Sequence, residues 1–273
     1  LVADPARIHQ LVADAWLPLF NRFPSHGPAP PSWEQFQRKY GQHFRYVDAH
    51  YSSPSPQELF DVVRTWLDRT AGGPDGWSPA EWRRLPLAFF EPLAELLRTC
   101  EACGRFPRSA LFVSVPLLPK GKGDAPLDQR PISLTVLLVR VWSTCVYRKL
   151  KPWLLQWVHD SAHGGVPGRH ARDLLWRRLL EIEAALRDGT PFAGLTLDDT
   201  KQFDMLVWQI IFPLASAFGL PPRLVALHKW YYANVQRFFR LAGGSCGPAW
   251  TCTNSVLQGC ALSLVYVLLS STV

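Results

Sequence analysis

The sequence has no uninterrupted apolar run of the roughly 18 residues that a membrane-spanning helix requires, so we expect no association with a membrane. Cysteine is sparse, since six in 273 residues do not form the dense disulfide framework of a small secreted protein. No cleavable presequence is recognisable, and we expect an intracellular protein of the nucleus or the cytoplasm. The first residue is Leu rather than Met, so we expect a segment of a longer polyprotein or a truncated gene product.

Metal-binding cysteine patterns are equally scarce. One Cys-x-x-Cys pair occurs, from Cys100 to Cys103, and a zinc site would need a second pair at a comparable spacing. We therefore expect structural cysteines on a helix. The sequence also lacks an internal repeat at periods of about 20 to 50 residues, which excludes a solenoid or a propeller.

What the sequence does contain is a large apolar fraction. Hydrophobic residues make up 48% of the chain and include twelve tryptophans. This composition allows a sizeable core with many aromatic contacts and excludes global disorder. The net charge of +7 fits a polyanionic partner, although ordinary basic solubility explains the charge equally well.

Hydrophobic periodicity divides the chain into helices and short strands. Helices are expected over the ranges 1–23, 57–69, 77–101, 136–157, 174–187, 203–218, 222–234 and 261–270. Strands are expected over 111–118 and 192–197, together with a hairpin that pairs 238–241 with 249–253. This mixture lacks the βαβ regularity of a doubly wound sheet, which predicts a helix-rich α+β fold.

A carboxylate follows the second expected strand, in the segment Leu197-Asp198-Asp199-Thr200-Lys201-Gln202-Phe203-Asp204. A strand that ends in Asp198 and turns into a helix can hold this side chain at a cleft, where Mg²⁺ takes oxygen ligands. Asp199 would face away from Asp198 on a strand, so it is a second ligand only if the chain bends. N-capping of the following helix is the alternative role for a single Asp at this place.

Two further segments carry residue types that suit a polyphosphate substrate. Lys120 follows Val-Pro-Leu-Leu-Pro, and Arg130 begins Arg-Pro-Ile-Ser; a lysine and an arginine on one hairpin can clamp a triphosphate. Gly259 follows Gln258 and precedes a helix, where a glycine lets a substrate approach the backbone closely. A solvated basic loop and an ordinary turn are the corresponding alternatives.

In this order, the segments resemble the motifs of reverse transcriptases of the non-LTR retrotransposon and group II intron type. The Asp198 segment is similar to the family's hydrophobic-Asp-x-x-Lys-Ala-Phe-Asp pattern, and the Gln258 segment is similar to Gln-Gly-x-x-x-Ser. The ranges 71–77, with Gly-Pro-Asp-Gly, and 163–173, with Gly-Arg, resemble two other motifs of these enzymes. Five residues depart from the family's patterns: Gln202, Ser255, Leu264, Val166 and His170.

The resemblance implies a role for each matching residue. It implies that Asp198 is catalytic and that Asp198 and Asp199 contact metal, while Asp204 is structural and Asp173 caps a helix. Contacts with the incoming nucleotide are implied for Lys120, Arg130, Asp199, Phe203 and Gln258, with Phe203 as the steric gate against a ribose 2′-hydroxyl. Contacts with the template or primer are implied for Lys122, Arg169, Arg172 and Gly259.

The resemblance also implies an architecture and partners. The expected fold is the fingers and an incomplete palm of a right-hand polymerase: an N-terminal helical and linker region (1–70), a fingers-like region (71–190) and a partial palm (191–273). The implied partners are an RNA template with a DNA primer and deoxynucleoside triphosphates. The implied cofactor is Mg²⁺, with two ions in the complete enzyme.

One motif of the family is missing from the sequence. No aromatic-x-Asp-Asp follows Ser263, although the two-ion mechanism needs carboxylates from both motifs. We therefore expect a fragment of an RNA-directed DNA polymerase that is inactive as this chain. The open alternatives are the N-terminal part of an active polymerase, an inactive relic, and a nucleic-acid-binding module without catalysis. An RNA-templated RNA polymerase is a further alternative, which the bulky Phe203 disfavours.

Overall fold

The structure of the protein is a computed structural model that describes residues 4–121, 123, 125–195 and 200–273. The helices are α1 (Pro5–Phe20), α2 (Trp33–Tyr40), α3 (Pro56–Arg64), α4 (Pro79–Trp82), α5 (Phe90–Cys103), α6 (Leu137–Trp157), α7 (Ala171–Asp188), α8 (Gln202–Met205), α9 (Trp208–Ala217), α10 (Pro222–Asn234) and α11 (Ser263–Thr272). The strands are β1 (Phe112–Pro119), β2 (Gln129–Pro131), β3 (Leu134–Thr135) and β4 (Gln236–Arg240). This confirms the prediction of a helix-rich α+β fold.

The sheet is built around β1. The first half of β1 pairs antiparallel with β3 and parallel with β4, and its second half pairs antiparallel with β2. The register places Leu118 opposite Arg130. Antiparallel bridges join Arg237 to Trp250 and Arg240 to Cys246. The predicted hairpin is therefore present, but its second arm pairs at Cys246 and Trp250 rather than along the whole range 249–253. Because β1 contacts three other strands, it connects segments that are far apart in the sequence.

The hydrophobic core surrounds α6. Eleven of its 21 residues are buried, and Trp142 and Trp157 are completely inaccessible to solvent. The core is continuous from Val12 in α1 to Leu269 in α11 and crosses the boundaries expected near residues 70 and 190. The N-terminal helix is thus part of the same packed unit as the sheet.

A buried carboxylate fastens the N-terminal region to this core. Glu101 of α5 is 1% exposed and accepts hydrogen bonds from the hydroxyl groups of Tyr51 and Ser53, both at 2.5 Å. It accepts a third from the indole N–H of Trp142, at 2.8 Å. A buried carboxylate is tolerated when several donors satisfy it, and here the donors come from a loop and from α6.

The helix α7 has a different environment, because none of its 18 residues is buried. The apolar residues that predicted an amphipathic helix are present on it, but their side chains remain in contact with solvent. The periodicity therefore predicted the helix and did not predict its surroundings.

Several boundaries differ from the expectations. The helix expected over 203–218 is interrupted at 206–207 and forms α8 and α9, and the region 77–101 contains α4, a short 3₁₀ segment and α5. The strand expected over 192–197 was wrong for residues 192–195, which have no regular secondary structure. These residues are exposed, and none of the strands in the described part of the chain pairs with them.

The cysteines follow the expectation of structural thiols. All six are free, and Cys100 and Cys103 both lie on α5. Burial raises the pKa of the Cys100 thiol to about 11, which keeps it protonated and unreactive. Separately, no helix in the described ranges has both the length and the apolarity to cross a bilayer.

Candidate functional site

The two aspartates on which the functional hypothesis centres, Asp198 and Asp199, lie outside the described residues, as does Lys122. The site is therefore built from the residues around them, beginning at Thr200. Among the described residues, no group of three His, Cys, Asp or Glu side chains is placed to hold a metal ion. The fit of Mg²⁺ consequently depends on Asp198 and Asp199 and stays a proposal.

A backbone junction joins the segment of α8 to residues 254–256. The N–H of Val256 donates to the carbonyl of Phe203 at 2.9 Å, and the N–H of Ser255 donates to that of Leu206 at 2.7 Å. Asn254 is fully buried, and its amide donates to the carbonyls of Asp204 and Leu19, both at 2.8 Å. The motif of Phe203 and the approach to Gln258 are thereby held side by side.

Ser255 occupies a strained backbone conformation in this junction. Its φ of +80° lies in the left-handed region, where a side chain is unfavourable and glycine is preferred. At this position, the reverse transcriptases that the sequence resembles often have glycine. The Ser255 hydroxyl accepts a hydrogen bond from the guanidinium of Arg237 at 2.8 Å, a contact that glycine could not make.

The turn at Gln258 and Gly259 contacts the segment that follows Arg130. The N–H of Ser133 donates to the carbonyl of Gln258 at 2.6 Å. A Cβ atom on Gly259 would lie 2.8 Å from the carbonyl oxygen of Ser133, so this close approach requires glycine. Two predicted motifs that are about 125 residues apart in the sequence therefore meet directly.

The cations Lys120 and Arg130 lie on one hairpin, as predicted. Arg130 is opposite Leu118 in the pairing of β1 with β2, and Lys120 directly follows β1. Both side chains are exposed. The pairing of β1 with β2 therefore brings Arg130 close to the end of β1, where Lys120 follows.

Lys201 adds a third cation, which sequence reasoning did not assign. Its ammonium group donates to the carbonyl of Leu127 in the connection between β1 and β2, and lies 4.3 Å from the ring centroid of Trp16. Burial, followed by the nearby positive charge of Lys120, lowers the pKa of Lys201. The side chain thus connects the Asp198 motif to the hairpin of Lys120 and Arg130.

The helix α1 contacts this connection through the side chain of Trp16. Trp16 is completely buried and donates its indole N–H to the carbonyl of Pro126 at 2.9 Å. The same ring lies beneath Lys201. In the sequence, Trp16 belongs to an apolar stripe of a helix. That pattern predicts that Trp16 is buried, but it does not predict which residues Trp16 contacts.

The Gly-Pro-Asp-Gly segment caps the N-terminal end of α6, although it lies far from that helix in the sequence. Asp75 accepts a hydrogen bond from the N–H of Leu137, the first residue of α6, at 2.8 Å. A Cβ atom on Gly73 would overlap the carbonyl oxygen of Thr135. Arg140 donates to the carbonyls of Ala71 and Thr135 at 2.5 and 3.3 Å, which holds the segment against the end of β3. The motif therefore has a structural role in this chain.

The Gly-Arg motif in the range 163–173 is held by contacts within its own loop. Arg169 donates to the carbonyls of His159 and Ala162 and lies 3.3 Å from the carboxylate of Asp160, so the loop before α7 already uses its guanidinium. Arg172 is exposed on the first turn of α7. Asp173 accepts from the backbone N–H of His170 at 3.0 Å, which matches its expected capping role.

Two buried charges lie behind the junction. Burial raises the pKa of Asp204 to about 6, while the positive charges of Arg237, Lys201 and Lys120 oppose this increase. Arg237 is 2% exposed, and its guanidinium lies 5.6 Å from the ring centroid of Trp250. Its Nε and Nη2 atoms have no hydrogen-bond partner among the residues that the structure describes. Sequence reasoning missed Arg237, because its only signal is an arginine within a short strand.

Comparison with known proteins identifies a similarity to a transposon protein. No family model matches the chain. Over 214 residues, the chain is 31% identical to the uncharacterized 149 kDa protein of transposon TX1 from Xenopus laevis. The match includes 76% of this chain and 16% of that protein, so the chain spans about a sixth of its length. The sequence is therefore similar to a segment of a transposon protein.

Proposed function

We propose that this chain is the fingers and part of the palm of a retroelement reverse transcriptase, an RNA-directed DNA polymerase. The observation that carries the proposal is the convergence of separate motifs on residues 254–259. Phe203 contacts this stretch through its backbone, and Ser133 contacts it from the hairpin of Lys120 and Arg130. Similarity to a transposon protein supports a retroelement origin.

In this proposal, the cations bind the triphosphate of the incoming deoxynucleotide. Arg130 presents a planar guanidinium that can bind two phosphate oxygens at once, and Lys120 supplies a compact charge beside it. Both are exposed and extend from the same hairpin, as a clamp requires. Positive charge held in place before the reaction stabilises the charge that develops on the phosphates.

Asp198 and Asp199 would hold Mg²⁺ beside these cations. Two bound Mg²⁺ ions supply stabilisation of the attacking and leaving oxygens in nucleotidyl transfer. The chain contributes one of the two carboxylate motifs that this chemistry needs, so we expect activity in the full-length protein and none in this chain alone.

Selection of the nucleotide and binding of the template are assigned to neighbouring residues. Phe203 is half-buried and packs against the core, which gives a rigid wall against a ribose 2′-hydroxyl. Gln258 would contact the nucleotide, and the Gly259 turn would lie against the template–primer. Lys122 and Arg172 would contact template phosphates and give salt-sensitive binding without sequence preference. Arg169, which the sequence also assigned to the template, would instead hold the loop before α7 in place through its bonds to His159 and Ala162.

Primer extension by the full-length protein tests the proposal. Asp198→Ala is expected to abolish Mg²⁺-dependent extension of a DNA primer on RNA, while binding of the RNA–DNA hybrid stays largely intact. Arg130→Ala is expected to raise the KM for deoxynucleotides, with Arg98→Ala on α5 as the control for an exposed arginine elsewhere. Retained extension by Asp198→Ala would refute the catalytic assignment. Ribonucleotide incorporation at a comparable rate would refute the gate assignment.

A nucleic-acid-binding relic without catalysis is the alternative function. The net charge of +7 favours it, because a basic surface binds nucleic acid whether or not the second carboxylate motif exists. It predicts salt-dependent binding of an RNA–DNA hybrid with no extension by the full-length protein under any Mg²⁺ concentration. Extension by that protein would exclude this alternative.

A further inference from the structure

The helix α7 exposes a broad apolar face to solvent. Six large side chains of this helix are between 37% and 77% exposed: Leu175, Trp176, Leu179, Leu180, Ile182 and Leu186. A solitary exposed leucine is ordinary, but a contiguous apolar patch on a soluble protein marks a surface that another molecule covers. The width of this face is typical of helices that pack against a partner.

The spacing along the face is that of a helix pair. Leu175, Leu179, Ile182 and Leu186 follow one another at intervals of four, three and four residues. This is the a/d repeat by which two helices interdigitate along a common seam. In an antiparallel pair, Leu175 of one helix would lie against Leu186 of the other.

The charges of α7 select the orientation. Its first half carries Arg172, Arg177 and Arg178 with one acidic residue, and its second half has the reverse balance, with three acidic residues and one arginine. Arg177 and Arg178 pair with Glu181 within the helix, and Arg187 pairs with Asp188. The excess of positive charge in the N-terminal half and of negative charge in the C-terminal half still opposes the helix dipole. Two antiparallel copies would place each basic half beside an acidic half, whereas parallel copies would place like charges together.

The exposed apolar side chains form a patch of the size that marks an interaction site. Phe192 and Leu195, which follow the helix, are also exposed, at 50% and 83%. With the six residues of α7, they make eight large apolar side chains that are each more than a third exposed, whereas the largest apolar patch of a typical monomer is about 300–600 Å² and is often functional.

We propose that α7 is a self-association surface, and that a second copy of this chain covers it in an antiparallel, two-fold arrangement. The same patch then serves both partners, which is the requirement for a closed dimer. None of the apolar residues of this surface is assigned to nucleotide or metal binding, so the dimer can be tested whether or not the chain belongs to an active polymerase.

Sedimentation of the purified, nuclease-treated chain tests the association. The unaltered chain is expected to dimerise, and Leu179→Glu or Leu186→Glu to weaken dimerisation by at least about tenfold, because each interface would bury two uncompensated carboxylates. Leu67→Glu is the matched control, since Leu67 is 62% exposed outside α7. Circular dichroism checks that each variant is folded.

Cross-linking tests the orientation in a Cys103→Ser, Cys246→Ser background, which removes the two exposed thiols. Addition of Leu175→Cys together with Leu186→Cys is expected to give a disulfide-linked dimer on oxidation, and Leu175→Cys alone to give none. A linked dimer from Leu175→Cys alone would show a parallel pair and overturn the proposed arrangement.

Three results would overturn the association itself. The first is a chain that stays monomeric at all concentrations, which would assign the face to another part of the same protein. The second is dimerisation that Leu179→Glu and Leu186→Glu leave unchanged. The third is association that disappears with nuclease treatment, which would assign it to nucleic acid.

Discussion

The helices α6 and α7 have similar lengths, 21 and 18 residues, and opposite environments. Both have apolar residues at helical spacing, and both follow a loop that contributes to a predicted motif. Eleven residues of α6 are buried, and none of α7 is. The difference shows that periodicity predicts a helix, whereas the rest of the fold determines whether its apolar face is covered.

The contrast extends to the contacts at the helix ends. The first N–H of α6 is capped by Asp75, 62 residues earlier in the chain, while α7 is capped locally through Asp173. A long-range cap connects α6 to the rest of the fold, and the local cap of α7 does not. We therefore expect α6 to unfold only with the whole protein, and α7 to open at a lower free-energy cost.

The largest expected difference between the two helices is in the loss of stability when a tryptophan on each is replaced. Trp142→Ala should lower the free energy of unfolding by about 3–5 kcal/mol, because it removes a fully buried ring and leaves Glu101 with one donor fewer. Trp176→Ala, at 60% exposure, should change it by no more than about 0.5 kcal/mol. Urea denaturation of both variants measures the difference, and equal losses would contradict the comparison.

The next largest difference is in the pH dependence of stability, which we compare for a buried and an exposed aspartate. The raised pKa of Asp204, about 6 against an ordinary 3.8, means that the folded protein binds this proton more tightly than the unfolded chain does. The resulting stabilisation is complete below about pH 3.8 and is lost as the pH rises through about 6, up to about 3 kcal/mol in total.

Asp204→Asn removes this titration. From pH 4 to pH 7, the unaltered protein should therefore lose stability relative to the Asn variant, by at most about 3 kcal/mol. Asp188→Asn on α7 is the exposed control and should show no such trend. The measurement is the free energy of unfolding of all three proteins at both pH values; parallel pH profiles for the protein and its Asp204→Asn variant would mean that Asp204 is not buried as described.

The two caps give a smaller difference. Asp75→Ala should destabilise the protein by about 1–2 kcal/mol, because it leaves the N–H of the fully buried Leu137, the first residue of α6, without its acceptor. Asp173→Ala should cost about 0.5 kcal/mol, since water can replace an exposed cap. Thermal unfolding of the two variants measures both losses, and a larger loss for Asp173→Ala would reverse the proposed ranking.

Local features of the fold were predictable from the sequence. A serine followed by a proline and, three positions on, by a glutamate is a signal for the start of a helix, and Ser55 does form a capping box with Glu58 at the start of α3. The strand near 111–118 and the helix near 136–157 are present as β1 and α6 with shifts of one residue. These elements depend on capping, proline position and periodicity, which act over a few residues.

Long-range contacts were not predictable in the same way. The parallel pairing of β1 with β4 joins residues more than 120 positions apart, and nothing in either strand specifies the other. The position of Trp16 beneath Lys201 likewise depends on how α1 packs. The resemblance implied roles for Phe203 and Gln258, but it did not predict Asn254 and Arg237, whose side chains hold the junction at residues 254–256 together.

The smallest expected effect isolates the backbone strain at Ser255. Ser255→Ala and Ser255→Gly both remove the hydroxyl that binds Arg237, so they share the cost of that lost hydrogen bond. They differ in the left-handed backbone, which glycine adopts freely and alanine does not. The Gly variant should therefore be more stable than the Ala variant by about 1 kcal/mol.

Gly189→Ala, at the exposed left-handed end of α7, provides the comparison without a buried partner. If the two Ser255 variants unfold at the same denaturant concentration, the backbone there is not left-handed and the match to the family's glycine is lost.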